Sequence, residues 1–143
     1  MIVINLRSIF LFLLFISSFD LLIAQNIDFK SSNFRSDKKG FKVAQKNIKI
    51  ADEFREIAIL NFLAMQDVRK DAEDAYLHYK KVYNFNPNNA DLNYKIASVL
   101  LLTNRKEFAK QYLDKAISFS VDLPDDFDFY YAMVLQLEGR YIE

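Results

Sequence analysis

The chain offers few side chains with which to do chemistry. His78 is its only histidine, and it has no cysteine, which excludes a thiolate nucleophile, a thiolate zinc site and a disulfide. No Ser, Asp or Glu stands in a recognisable motif with His78 to form a catalytic triad. We therefore expect His78 to occupy a solvated helix position, and we predict no catalytic residue and no enzymatic activity.

A group of carboxylates late in the chain is the other candidate for chemistry: Asp122, Asp125, Asp126 and Asp128. They suggest a divalent-cation site, but they lack the glycine and the distal glutamate of an EF-hand loop. Capping and the helix dipole also explain acidic residues around a helix start. The two glycines, Gly40 and Gly139, lie too far apart for a phosphate-binding loop. We predict neither a metal nor a cofactor.

Composition bounds the class of protein. The 143 residues allow at most one ordinary domain, and an apolar fraction of 52% is enough for a core. Lys+Arg and Asp+Glu are equal at 19 each, so no net field favours nucleic acid as a partner. Only two Gly and two Pro occur, which favours long helices over many short strands. Most of the eight Tyr and fourteen Phe are expected in the core.

The first 24 residues have the pattern of an export signal. Arg7 supplies a positive start, Ile9 to Ile16 is an apolar run, and Ala24 offers a small residue for cleavage. An uncleaved membrane anchor is the alternative, because Leu21 to Ile23 extends the apolar stretch. Asp20 opposes the anchor, since a carboxylate near mid-bilayer costs about 2.5 to 3.5 kcal/mol. We predict that the chain is exported.

The mature chain is predicted to begin with a flexible leader, residues 25–37, which is polar and aperiodic. A helical repeat domain follows over 38–143. Its first helix is indicated by an apolar stripe at spacings of three and four, formed by Phe41, Ala44, Ile48 and Ala51. The opposite face carries lysines that form either a solvated face or a binding strip: Lys42, Lys46 and Lys49. Residues 57–65 either continue this helix or form an insertion.

Four further helices are predicted at about 68–85, 90–102, 106–119 and 126–137. Asn86-Pro87 ends the second helix, because the residue before a proline avoids the helical region. The predicted buried faces of the middle three helices are, in order, Ala72, Ala75, Tyr79 and Val82; then Leu92, Ile96, Ala97 and Leu100; then Ala109, Tyr112, Leu113, Ala116 and Ile117.

Part of this pattern repeats after 34 residues. Ala75 is matched by Ala109, Tyr79 by Leu113, and Val82 by Ala116. The spacing and the small–bulky–small pattern resemble the tetratricopeptide repeat (TPR) family. The resemblance implies an all-α array of antiparallel helix hairpins, in which each unit buries its apolar face against its neighbours. Two residues depart from the family's preferences: Asn93 replaces a large aromatic, and Val121 replaces a proline.

A more specific resemblance covers two stretches, SDKKGFKVAQKNIKIAD at Ser36 to Asp52 and YNFNPNNADLNYKIA at Tyr83 to Ala97. With the export signal, they resemble the amino-terminal TPR region of exported OmpA-family envelope proteins, some of which serve the type IX secretion system. Those proteins continue into a propeller and a peptidoglycan-binding domain that this sequence lacks. The resemblance implies a protein partner in the cell envelope, and peptidoglycan binding only through the missing domains.

In TPR arrays the first helix of each repeat lines a concave groove. The matching positions here are Asp91, Tyr94, Ser98, Asp126, Phe129 and Met133. The resemblance therefore implies an aromatic and acidic protein-binding groove without the Lys and Asn clamp of chaperone-binding members. The rival hypotheses are a membrane-anchored assembly factor that keeps the amino-terminal apolar segment, and an enzyme accessory subunit or hydrolase remnant.

The end of the sequence suggests a missing partner helix. Gly139-Arg140-Tyr141 resembles the turn inside a TPR unit, yet the sequence stops at Glu143. The fifth helix would then expose an apolar face bearing Tyr131, Val134 and Leu135. Either the chain is the amino-terminal piece of a longer protein, or this face binds something, with self-association through the last helix as one outcome.

Overall fold

The computed structural model describes residues 25–119 and 122–139. The predicted export signal at 1–24, Val121, and the residues after Gly139 in the predicted return turn lie outside the described residues. No helix of the described part is long and apolar enough to cross a membrane.

The fold is all-α, as predicted, with five α-helices and no strand among the described residues. Two short 3-10 helices, Ser31–Phe34 and Lys106–Phe108, accompany them. The first hairpin pairs α1 with α2, the second pairs α3 with α4, and α5 packs against both helices of the second hairpin. The bounds of the α-helices are α1 Lys38–Leu63, α2 Arg69–Phe85, α3 Ala90–Leu100, α4 Ala109–Phe119 and α5 Phe127–Leu137.

Residues 57–65, for which two interpretations were open, mostly continue the first helix. α1 runs for 26 residues to Leu63, and Met65 follows with a positive φ of 57°. Ala58 is completely buried and clusters with Ala72 and Leu102. The small side chain at this point lets α1 stay close to α2 along its whole length, because small residues allow helices to approach closely.

Asparagines organise the turn between α2 and α3. Asn89 caps α3, its side chain accepting a hydrogen bond from the Leu92 amide at 2.8 Å, which satisfies one of the free amides at the helix start. Asn93 is fully buried, and its Nδ2 donates to the carbonyl oxygens of Pro87 and Asn89 at 2.9 and 2.7 Å. Its Oδ1 is buried without a hydrogen-bond partner in the described part of the chain. Asn93 thus fastens the turn where the TPR family has an aromatic ring.

The predicted core of α2, α3 and α4 is confirmed except at one residue. Every predicted position from Ala72 to Ala116 is buried, but Ile117 is exposed. Successive residues of a helix are turned by roughly 100°, which moves Ile117 from the face centred on Ala116 to its edge. The prediction of a buried Ile117 was therefore wrong.

The apolar face of α5 also differs from the expectation. Val134 is buried with Phe127 and Tyr130, whereas Tyr131 and Leu135 are half-buried. The reason is that α5 contacts α3 as well as α4, so these two helices cover more of it than one neighbour would. Phe129 and Leu137 are the large apolar side chains of α5 that remain exposed.

The predicted flexible leader is docked onto the α2–α3 turn. The Ile27 amide donates to the Asn88 carbonyl at 2.6 Å, and the Nδ2 groups of Asn86 and Asn89 donate to the Ile27 carbonyl at 2.8 and 3.1 Å. Farther along, the ring of Phe34 stacks near Phe29, Phe41 and Phe85. The residues predicted as a flexible leader are therefore held at the α2–α3 turn through the backbone amide and carbonyl of Ile27.

Candidate functional site

Polar side chains from α1, α3 and α5 meet on one side of the array. We call this side the inner face; it comprises Asp52 and Arg55 of α1, Asp91, Tyr94, Lys95 and Ser98 of α3, and Asp126 and Phe129 at the start of α5. Hydrogen bonds and ion pairs connect six of these residues across helices that are not neighbours in sequence.

Arg55 is the link between α1 and α3. Its Nε donates to Ser98 Oγ at 2.8 Å, and one terminal nitrogen donates to the Tyr94 hydroxyl at 3.1 Å. The guanidinium carbon lies 5.3 Å from the centre of the Tyr94 ring, within the range of a cation–π contact. Ser98 Oγ in turn donates to the Lys95 carbonyl at 2.9 Å. Arg55 therefore occupies both hydroxyls that α3 presents here.

Tyr94 extends the link to α5. Its hydroxyl donates to Asp126 Oδ1 at 2.5 Å, and its ring packs against Phe127 and Tyr130. Burial raises the pKa of the Tyr94 phenol far above its usual range, and the bond to the Asp126 carboxylate adds to the increase. The phenol stays protonated and serves as a fixed donor, not as an acid or base.

Asp52 and Lys95 form a second link between α1 and α3. Lys95 Nζ lies 3.1 and 3.3 Å from the two carboxylate oxygens of Asp52 and 3.1 Å from Asp91. From beneath, the buried Tyr79 hydroxyl donates to Asp52 at 2.5 Å. Burial and this bond raise the pKa of Tyr79 well above its usual range. One lysine is thus shared by two carboxylates, and with three Asp residues against one Arg and one Lys the inner face keeps a small acidic excess.

The structure divides the six predicted groove residues into two groups. Tyr94 and Ser98 are 3% and 1% exposed, and both hydroxyls are already bonded, so a partner cannot reach them. Asp91, Asp126 and Phe129 are exposed, whereas Met133 is half-buried and packs against the core. The surface available to a partner is therefore smaller than the resemblance implies.

Three inner-face residues were missed by the sequence prediction: Asp52, Arg55 and Lys95. The groove was assigned to the third and fifth helices from their match to TPR positions, which include neither a residue of α1 nor Lys95. The available signal was Arg55 itself, a lone arginine one turn after the buried Ala51 and one turn before the buried Ala58. Its position at the edge of an apolar stripe indicates a side chain directed at another helix.

The surface beside the inner face carries two shallow depressions along α1. One, of about 440 Å³, lies between Phe29, Ile48 and Glu53; the other, of about 310 Å³, lies between Arg55, Ile59 and Lys95. Both are open to solvent and bordered by carboxylates. Neither has the enclosed apolar shape of a small-molecule pocket.

His78 is half-buried between α1 and α2. Its Nδ1 lies 2.8 Å from Asn47 Oδ1, and its ring stacks 6.3 Å from that of Phe54. It thus has an uncharged amide and an aromatic ring as partners, and no triad geometry. Within the described residues no three His, Asp or Glu side chains converge as metal ligands.

Comparisons with known proteins found no match: no family model, no curated protein and no solved structure is significantly similar to the chain. Function is therefore inferred from the residues and their geometry.

Proposed function

We propose that the chain is an exported protein-interaction module of the TPR type, which holds a polypeptide partner on its inner face. The observation that carries the proposal is the linkage of α1, α3 and α5 through Arg55 and Tyr94. It fixes three helices side by side and leaves Asp91, Asp126 and Phe129 exposed along the shared surface. Such a surface fits a polypeptide better than a small-molecule substrate, since its one phenol with a raised pKa, Tyr94, is buried and already bonded to Asp126, and its depressions are open to solvent.

The exposed groups define the chemistry of the partner. Asp91 and Asp126 offer carboxylates, and Phe129 offers an aromatic side chain that is 53% exposed. A segment with Lys or Arg residues next to an apolar side chain complements this arrangement, because interface anchors pair apolar contact with opposite charge.

For the cellular setting we propose the periplasm or the outer membrane, as part of an OmpA-family envelope or type IX secretion assembly. Support comes from the residues that resemble that group, at Ser36 to Asp52 and Tyr83 to Ala97, and from the signal-like first 24 residues. Peptidoglycan would be reached only through domains that this sequence lacks, and nucleic acid is no partner of a surface with an acidic excess.

Site-specific photocrosslinking in cells tests the binding surface. A photoreactive phenylalanine analogue at Phe129 should crosslink a discrete envelope protein, and Asp91→Lys in the same chain should abolish that product. The matched control is the analogue at Phe108, an equally exposed phenylalanine outside the inner face. Equal products from both sites, or a product that Asp91→Lys leaves unchanged, would contradict the proposal.

The alternative function is a membrane-anchored assembly factor that retains the amino-terminal apolar segment. It differs from the first proposal only in processing, because an anchor keeps Met1 and an export signal is removed after Ala24. The mass of the protein recovered from the envelope decides between the two.

A further inference from the structure

The side of α1 that faces away from the core carries an unpaired apolar pattern. Val43, Ile50 and Ile57 recur every seven residues, and Leu60 follows three positions later, which are the a and d spacings of helix pairing. Val43, Ile57 and Leu60 are 56%, 44% and 58% exposed. We call this line the outer seam; it comprises Val43, Lys46, Ile50, Glu53, Ile57 and Leu60.

The outer seam is distinct from the face with which α1 joins its hairpin. Ala44, Ala51 and Ala58 form that second line at the same seven-residue spacing, and all three are buried. One helix therefore carries two parallel seams, of which α2 and α3 cover only one. The small residues of the inner line already account for the packing inside the chain, whereas the large residues of the outer seam are exposed at Val43, Ile57 and Leu60 and half-buried at Ile50.

Charge along α1 changes sign at its middle. Five lysines lie before Ile50, and Glu53 and Glu56 lie after it; the lysines are Lys38, Lys39, Lys42, Lys46 and Lys49. None of these seven side chains forms an ion pair within the described residues. Lysines in a first turn also oppose the helix dipole. The stability of α1 alone therefore does not explain this distribution.

We propose that the outer seam is a self-association surface, on which α1 pairs antiparallel with α1 of a second copy about a two-fold axis at Ile50. In that arrangement Val43 of each copy lies opposite Ile57 of the other, and Ile50 meets its own equivalent. Lys46 of each copy lies beside Glu53 of the other. Every contact occurs twice, as an interface between identical surfaces requires.

The charge pattern selects this occupant and this direction. An antiparallel pair brings the basic half of each α1 against the acidic half of the other, whereas a parallel pair places lysine against lysine, and like charges at an interface are costly. A surface with one sign of charge, such as an anionic membrane, would attract only the basic half of α1. The pairing leaves Asp91 and Phe129 uncovered and does not depend on the proposed function.

Cysteine crosslinking tests the geometry in the full chain. Because the native chain has no cysteine, a single introduced cysteine can form a disulfide only between two copies. Ile50→Cys at the two-fold axis should convert most of the protein to a linked dimer under mild oxidation. Leu77→Cys, on the exposed side of α2, is the matched control and should form no disulfide-linked dimer.

Two further variants test the register. Lys46→Cys and Glu53→Cys should each form few disulfides between two copies of the same variant. In the proposed pair, the two copies of each residue lie about 10 Å apart along the helix, at 1.5 Å rise per residue. A mixture of the two should form the linked heterodimer. Equal linking of Leu77→Cys, or strong linking of Leu137→Cys on α5 with none at Ile50, would overturn the proposal.

Sedimentation of charge-reversal variants tests whether the Lys46–Glu53 pairs stabilise the dimer. Lys46→Glu and Glu53→Lys should each raise the dissociation constant of the dimer by about tenfold or more, and the double variant should restore it because the pairs are re-formed with reversed sign. A chain that stays monomeric at all concentrations overturns the proposal. So does a dimer that is indifferent to these charges, or a chain whose α1 binds anionic vesicles and never itself.

Discussion

Replacing Arg55 by methionine should separate α1 from α3 with little loss of packing. Methionine keeps an apolar stem of similar reach but removes the donors to Ser98 Oγ at 2.8 Å and to the Tyr94 hydroxyl at 3.1 Å. A hydrogen bond from a charged donor contributes about 1.5 to 3 kcal/mol, and an exposed cation–π contact about 0.5 to 1 kcal/mol. Because Arg55 is only half-buried, water replaces part of both lost bonds, so we count the value of one such bond plus the cation–π contact, about 2 to 4 kcal/mol, and take the lower part of that range.

The expected loss is about 2 to 3 kcal/mol in the free energy of unfolding, which lowers the melting temperature by about 8 to 12 °C at roughly 4 °C per kcal/mol. Urea unfolding and thermal melts followed by helical circular dichroism measure both quantities. The matched control is Arg69→Met, which breaks an exposed pair with Asp67 and should cost less than about 1 kcal/mol.

A double-mutant cycle isolates the bond from the packing. Arg55→Met and Ser98→Ala should show a coupling of about 1 kcal/mol, since each variant removes the same hydrogen bond. If Arg55→Met and Arg69→Met melt together, or if the cycle shows no coupling, then Arg55 does not tie α1 to α3 and the reasoning about the inner face is wrong.

Three other outcomes are expected. Ala116→Leu, at a completely buried helix contact, should lower the free energy of unfolding by about 1 to 3 kcal/mol in denaturant. Lys110→Ala, on the surface of the same helix, should lower it by under about 0.5 kcal/mol. Equal unfolding midpoints for the two variants would contradict the register of α4. The phenol pKa values of Tyr79 and Tyr94 are raised above the ordinary tyrosine value of 10.0. Above about pH 10 the unfolded chain therefore releases phenol protons that the native state keeps, so the free energy of unfolding should be level below about pH 10 and fall above it. Unchanged unfolding midpoints at pH 9 and pH 11 would argue against buried phenols. Mass spectrometry of envelope protein should find a new terminus after Ala24, and an intact Met1 would favour the anchor.

The helices and the core could be predicted because their signals are local. Apolar spacing located all five helices, and the small residues Ala75, Ala109 and Ala116 identified the buried contacts. Ile117 and Val134 were misassigned, since a position at the edge of a helical face becomes buried or exposed according to how much a neighbouring helix covers it. Periodicity within one helix does not carry that information.

The inner face was predictable only in part. Family position placed Asp91 and Phe129 on an exposed surface, but it also placed Tyr94 and Ser98 there. Both of their hydroxyls are bonded by Arg55, which lies 39 and 43 residues earlier in the sequence. A hydrogen bond between an arginine and a hydroxyl produces no periodic pattern in the sequence, so the sequence alone does not reveal which polar residues bond to one another.

The docked leader has a consequence for the order in which the chain folds. Asn26 and Ile27 bind groups that lie between 59 and 64 residues farther along, so the contact cannot form until the turn at Asn86 to Ala90 has been made. A chain that emerges gradually from a ribosome or a membrane pore completes α1 and α2 while its start is still unattached. Asn26 and Ile27 therefore dock late, and their contact joins the start of the described chain to a hairpin junction that is already folded.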